Sequence, residues 1–145
     1  MKITRIVIKG ASGYCPIDEA YEDKVTLTDC SISYEYKPNE MAESATNVFR
    51  KWKYTTTSPI FKMVFQEIAN RTPYYLYNTD DLILGTDIGP TEIIVTFEDK
   101  HREKACFFCP SEFFREYFNL IKKLVPKTED TPAVLLTADD FEDEE

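Results

Sequence analysis

Apolar and polar residues alternate at every second position in several short runs of this chain, the spacing of half-buried β-strands. Val25-Thr26-Leu27-Thr28 and Ile32-Ser33-Tyr34-Glu35-Tyr36 alternate most cleanly, and Asp29-Cys30-Ser31 between them suits a tight hairpin turn. Ile3, Ile6, Val7 and Ile8 make an earlier β-rich run that closes at Lys9-Gly10. Gly10 to Asp23 mixes Gly, Ser, Pro and acids and reads as a loop. Lys37 to Ser44 reads as a connection. Val48 to Thr57, rich in aromatic and β-branched residues, reads as a strand, although its same-parity set Val48, Arg50, Trp52, Tyr54 contains one charge.

The period then changes. Ser58 can cap free backbone N–H groups and Pro59 suits a first helical position. Phe61, Val64, Phe65 and Ile68 recur at helical spacing. This helix is expected to stop before Pro73, because a residue preceding proline is pushed out of the helical region. Leu82-Ile83-Leu84 is a further short strand candidate, and Asp87-Ile88-Gly89-Pro90 a turn. Ile93 to Phe97 has the composition of a strand core, turned back by Glu98–His101 onto a partner at Lys104–Cys109. A second helix is expected from about Pro110 to Val125, where Phe113, Phe114, Tyr117, Phe118, Ile121, Leu124 and Val125 trace one broad apolar face. Pro126 ends it. The pattern predicts an α+β fold: a mostly antiparallel sheet of about 5–7 strands, with two amphipathic helices on one face.

Length fits one domain. At 145 residues, with 43% hydrophobic and 14% aromatic side chains, the chain can bury one core without crosslinks. We expect a single domain over 1–127 and a C-terminal extension over 128–145. The net charge of −9 is uneven, because Asp139, Asp140, Glu142, Asp143, Glu144 and Glu145 crowd the end of the chain. Like charges repel, so that end is expected to be disordered. The apolar Ala133–Leu136 run before it is a candidate for docking on the domain or on a partner. Without the tail the chain is only mildly acidic and no basic face is foreseen, so no direct nucleic-acid binding is expected. Arg50, Lys51 and Lys53 read as a solvated strand face. Met1–Gly10 lacks the apolar run of an export signal, and no stretch approaches the length of a membrane span. A soluble, cytoplasmic protein, monomeric or weakly dimeric, is the expectation.

Candidate chemistry is thin. Cys106-Phe107-Phe108-Cys109 is a C-x-x-C before a predicted helix, where the helix dipole favours thiolate. Thiol redox or metal binding through Cys106 and Cys109 is therefore one alternative. Against it, residues three apart in a strand point to opposite sides, and the second pair of a zinc site is missing. No cofactor is expected. His101, the single histidine, sits in a charged turn. Asp80, Asp81, Asp87 and Glu92 match no metal-loop spacing and suit turns. Trp52, Tyr54, Tyr74, Tyr75 and Tyr77 could form an aromatic contact patch, with Phe141 in the tail as a further anchor. The strings Lys51-Trp52-Lys53-Tyr54, Thr72-Pro73-Tyr74-Tyr75-Leu76-Tyr77, Thr86-Asp87-Ile88-Gly89-Pro90-Thr91 and Cys109-Pro110-Ser111-Glu112-Phe113-Phe114 resemble those of a group of small α+β proteins from anaerobic gut Firmicutes. The resemblance spans most of the chain. It implies a free-standing bacterial protein and, as that group has no assigned activity, carries over no functional residue. The reading that follows is a non-enzymatic protein-interaction module using the aromatic patch and the acidic tail. A second reading makes it an acidic inhibitor or decoy of a nucleic-acid-binding protein, which rows of carboxylates on the folded surface would support.

Overall fold

The computed structural model describes residues 2–12, 15–77, 90–107, 111–137 and 140. Six strands form one antiparallel sheet: β1 (Ile3–Ala11), β2 (Tyr21–Thr28), β3 (Ser31–Pro38), β4 (Arg50–Thr55), β5 (Thr91–Phe97) and β6 (Arg102–Phe107). Their order across the sheet is β4-β3-β2-β1-β5-β6. The first four strands run as a meander toward one edge. The chain then crosses to the other side of β1 through helix α1 (Pro59–Tyr77), and β5 and β6 complete the sheet. Helix α2 (Arg115–Lys122) follows a 3₁₀ turn at Ser111–Phe114, and a last 3₁₀ turn spans Ala133–Leu135. No described helix is long and apolar enough to cross a membrane.

The register explains the core. Tyr34, Val25, Ile8, Ile93 and Ala105 lie opposite one another across successive strands, as do Ile32, Leu27, Ile6 and Val95. Side chains alternate sides along a strand, so one face of the sheet collects the apolar set. Ile6, Ile8, Val25, Leu27, Ile32, Ile93 and Val95 are completely buried. Each such side chain contributes about 1.5–3 kcal/mol relative to exposure. Both helices lie on this face. Tyr54 of β4 packs on Phe61 at the start of α1, with ring centroids 6.3 Å apart. At its other end, α1 reaches β6, where Tyr77 donates its hydroxyl hydrogen bond to Glu103. Crossing six strands takes about 24 Å and a 19-residue helix is about 28 Å long, so one helix roofs the sheet from edge to edge.

Local signals hold where no tertiary contact competes. Ser58 Oγ accepts from the Phe61 N–H (3.4 Å), and Pro59 is the first helical residue, as expected. Two departures concern α1 and β2. The helix runs through Pro73 instead of stopping before it. Thr72 Oγ1 donates to the Ile68 carbonyl (2.7 Å), shares a hydrogen bond with the Tyr117 hydroxyl (2.8 Å), and is fully buried. Tyr75 and Leu76 beyond the proline are buried too, so packing on α2 holds the last turn helical. In the expected loop Gly10–Asp23, strand structure extends from each end and leaves only the middle as a connection. Tyr21-Glu22-Asp23-Lys24 looks too polar for a half-buried strand because Asp23, at an inward position, is an acid.

The extension after Lys127 belongs partly to the packed unit. Pro132, Leu135 and Thr137 are buried, and the turn lies against β1 and β2. A Cβ on Gly10 would sit 2.5 Å from Val134 Cγ2, so glycine there is what allows the close approach. The Ala133–Leu136 run thus docks on its own domain. The strand candidate at Leu82–Leu84, together with Asp80, Asp81 and Asp87, lies outside the described residues.

Candidate interaction surface

The aromatic candidates do not form one patch. Tyr75 is buried, at 8% exposure, stacked on Tyr117 with centroids 4.5 Å apart, so it is a core residue and not a contact residue. Trp52 is half-buried against Tyr34 on the covered face. Tyr54 is exposed at the β4 edge. Tyr74 and Tyr77 are exposed at the far end of α1. Phe61 and Tyr77 are 16 helical positions apart, about 24 Å, so Tyr54 and Tyr77 cannot share a small epitope. Phe141 and Cys109 lie outside the described residues. Cys106 is exposed, as is Cys30, while Cys15 is half-buried. Among the described residues no group of three or more His, Cys, Asp and Glu side chains is placed to hold a metal ion.

His101 is not idle. Its Nδ1 lies 2.5 Å from Asp99 Oδ1 and its Nε2 3.3 Å from Glu103 Oε2, and its ring stacks on Phe97 at 4.4 Å. Hydrogen bonding to Asp99 raises the His101 pKa, and the Tyr77 hydroxyl, followed by His101, holds Glu103 low. The arrangement pins the β5–β6 turn, where Lys100 has a φ of 77°. All of these polar groups are satisfied by one another.

A buried polar centre lies at one end of the covered face. Asp23 is 4% exposed, and its Oδ2 accepts from the Tyr34 hydroxyl (2.8 Å) and the Val134 N–H (2.9 Å). Its Oδ1 has no hydrogen-bond partner among the described residues. Burial pushes the Asp23 carboxyl above the usual carboxylate range. Burial, with Asp23 adding to it, also pushes the Tyr21 phenol up to about 12. These groups fasten β2 and β3 to the C-terminal turn.

The opposite face of the sheet is uncovered by any described element, and the strand periodicity sorts the charges onto it. Arg5, Lys9, Lys24, Lys37, Lys51, Lys53, Arg102 and Lys104 point there, eight bases against three acids, Glu22, Glu35 and Glu92. A chain of net charge −9 therefore carries a face with an excess of five positive charges. One rung crosses all six strands: Lys51, Glu35, Lys24, Lys9, Glu92 and Cys106. Lys24 and Lys37 each approach Glu35 (3.8 and 3.9 Å), and Lys104 approaches Glu92 (3.7 Å). Lys9 faces Lys24 directly and has no ion pair among the described residues. Like charges opposed across strands are destabilising. A depression of about 350 Å³ opens at this point, where Lys9, Lys24 and Lys37 alternate with Glu22, Glu35 and Glu92 in its lining.

Five of the strands contribute one or two of these bases each and β5 contributes none, so the face is not visible as a basic cluster in the sequence. Of the expected solvated strand face of Arg50, Lys51 and Lys53, the two lysines lie here, whereas Arg50 is on the other side of β4 over the Tyr36 ring. Comparison with family models, with curated proteins and with solved structures finds no match for this chain.

Proposed function

We propose that this protein is a non-enzymatic interaction module whose working surface is the open, net basic face of its sheet, and that its partner is an acidic segment of another protein. The facing pair Lys9 and Lys24, at the centre of a lysine-rich face that nothing described covers, carries this reading. An anionic group seated between them would relieve their repulsion, and complementary charge of this kind steers encounter and fixes register. The interleaved Glu22, Glu35 and Glu92 favour a protein over a nucleic acid. A uniform phosphate chain would meet all three acids, whereas a mixed protein sequence can avoid them. The strand side chains of this face include no aromatic ring on which a base could stack. Rows of lysines where a decoy would carry rows of carboxylates favour the same reading. The exposed thiols of Cys30 and Cys106 suit a reducing compartment, which supports a cytoplasmic partner.

The test is calorimetric titration of a short glutamate-rich peptide into the wild type and into a triple variant with Lys9→Glu, Lys24→Glu and Lys51→Glu. Wild type should bind, more weakly as salt rises, and the variant should lose roughly tenfold or more in affinity. Equal binding by both proteins, or binding of duplex DNA in place of the peptide, would overturn the proposal.

A further inference from the structure

The open face and the end of the chain carry matched charge. Of the six acids from Asp139 to Glu145, Asp140 is already engaged: Lys122 Nζ of α2 donates to its Oδ2 at 2.6 Å, and the Thr137 N–H at 2.8 Å. The other five acids of the segment, Asp139, Glu142, Asp143, Glu144 and Glu145, equal in number the excess of five positive charges on the open face. We infer that the acidic segment 138–145 of a second copy occupies this face, so that the protein restrains its own binding surface by head-to-tail association. This rests on the open face being a docking surface for acidic protein segments, as proposed above.

The fold argues for a second copy over the same chain. Leu135 and Thr137 are buried on the helix-bearing side of the sheet, and Asp140 is tied to α2 on that side. Residues 137 and 140 are thus held on the layer opposite the open face, with the six-stranded sheet between them and it. A neighbouring molecule meets no such obstacle. A contact between two different surfaces repeats from copy to copy unless it closes into a ring, so assembly is graded with concentration and not restricted to a dimer. Charge pairing at an exposed face is screened by salt, so the association belongs to low ionic strength.

Sedimentation velocity on the full chain and on a version ending at Thr137 tests this. At about 20 mM salt the full chain should sediment faster as its concentration rises, and about 300 mM salt should abolish the effect. The shortened protein should stay at the monomer value throughout. A peptide of residues 138–145 added to the shortened protein should shift the amide resonances of Lys9, Lys24 and Lys51, and the triple Lys→Glu variant should show no such shifts. A full chain that remains monomeric at every concentration overturns the inference. If those same resonances already differ between dilute full-length and shortened protein, the segment docks within its own chain and the second-copy assignment is overturned. If the shortened protein binds the glutamate-rich peptide but not the 138–145 peptide, the inference fails while the proposed function stands. Binding of neither peptide removes both.

Discussion

Asp23 has one carboxylate oxygen holding the C-terminal turn to β2 and β3, and another buried without a partner. An ionised carboxylate is poorly accommodated there, since burial disfavours the charged form. Its folded pKa is raised, so the folded protein holds this proton more tightly than the unfolded chain does. The associated stability is present at low pH and is lost as pH rises through the folded value. Tyr21 of β2, Tyr34 and Tyr36 of β3 and the Arg50 guanidinium, 4.2 Å above the Tyr36 ring, are neighbouring polar groups. Thermal midpoints of wild type should fall relative to those of Asp23→Asn as pH rises above the ordinary carboxylate range of about 4. Parallel curves would remove this role from Asp23. Thr72 is a second single-residue determinant. Thr72→Val leaves the fully buried Tyr117 hydroxyl without its partner and should cost about 1–3 kcal/mol in denaturant unfolding. Adding Tyr117→Phe should cost much less than its effect alone, because the orphaned hydroxyl goes with it. Strict additivity would mean the two groups are not coupled.

At the scale of elements, most of the fold was legible and the errors have local causes. The β2–β3 hairpin, the β5–β6 hairpin, the Ser58 cap and the buried face of Phe114, Tyr117, Phe118 and Ile121 all follow from period and capping chemistry. Helix α1 overran its expected stop because burial of Tyr75 and Leu76 outweighs the missing backbone hydrogen bond at Pro73. Proline in a helix interior typically costs about 3 kcal/mol, part of which is returned by restricting the unfolded chain. Pro73→Ala should therefore stabilise the protein by about 1–2 kcal/mol, read as a raised denaturation midpoint with unchanged slope. A loss of stability would show that the proline ring itself packs usefully. The start of β2 was missed for the opposite reason: its inward acid is satisfied by β3 and by residue 134, contacts 11 and 111 positions away along the chain.

For the whole molecule, the charge distribution matters more than the charge. The sum of −9 conceals a sheet face with five excess positive charges, and an expectation drawn from the mildly acidic composition of the chain without its tail foresaw no basic face. The aromatic candidates, adjacent as words in the sequence, were dispersed by a helix that spans the sheet. Tyr75 went into the core, and Tyr54 and Tyr77 went to opposite edges. The sequence alone determined the fold class, one antiparallel sheet with two amphipathic helices over it, because strand and helix periods are properties of neighbouring residues. It also determined, strand by strand, which side chains share a side. Tertiary structure alone decided which strands became neighbours, which side of the sheet the helices took, and that Lys9 came to face Lys24. Those depend on long-range register, in which residues far apart in the chain are set side by side by a shared buried face.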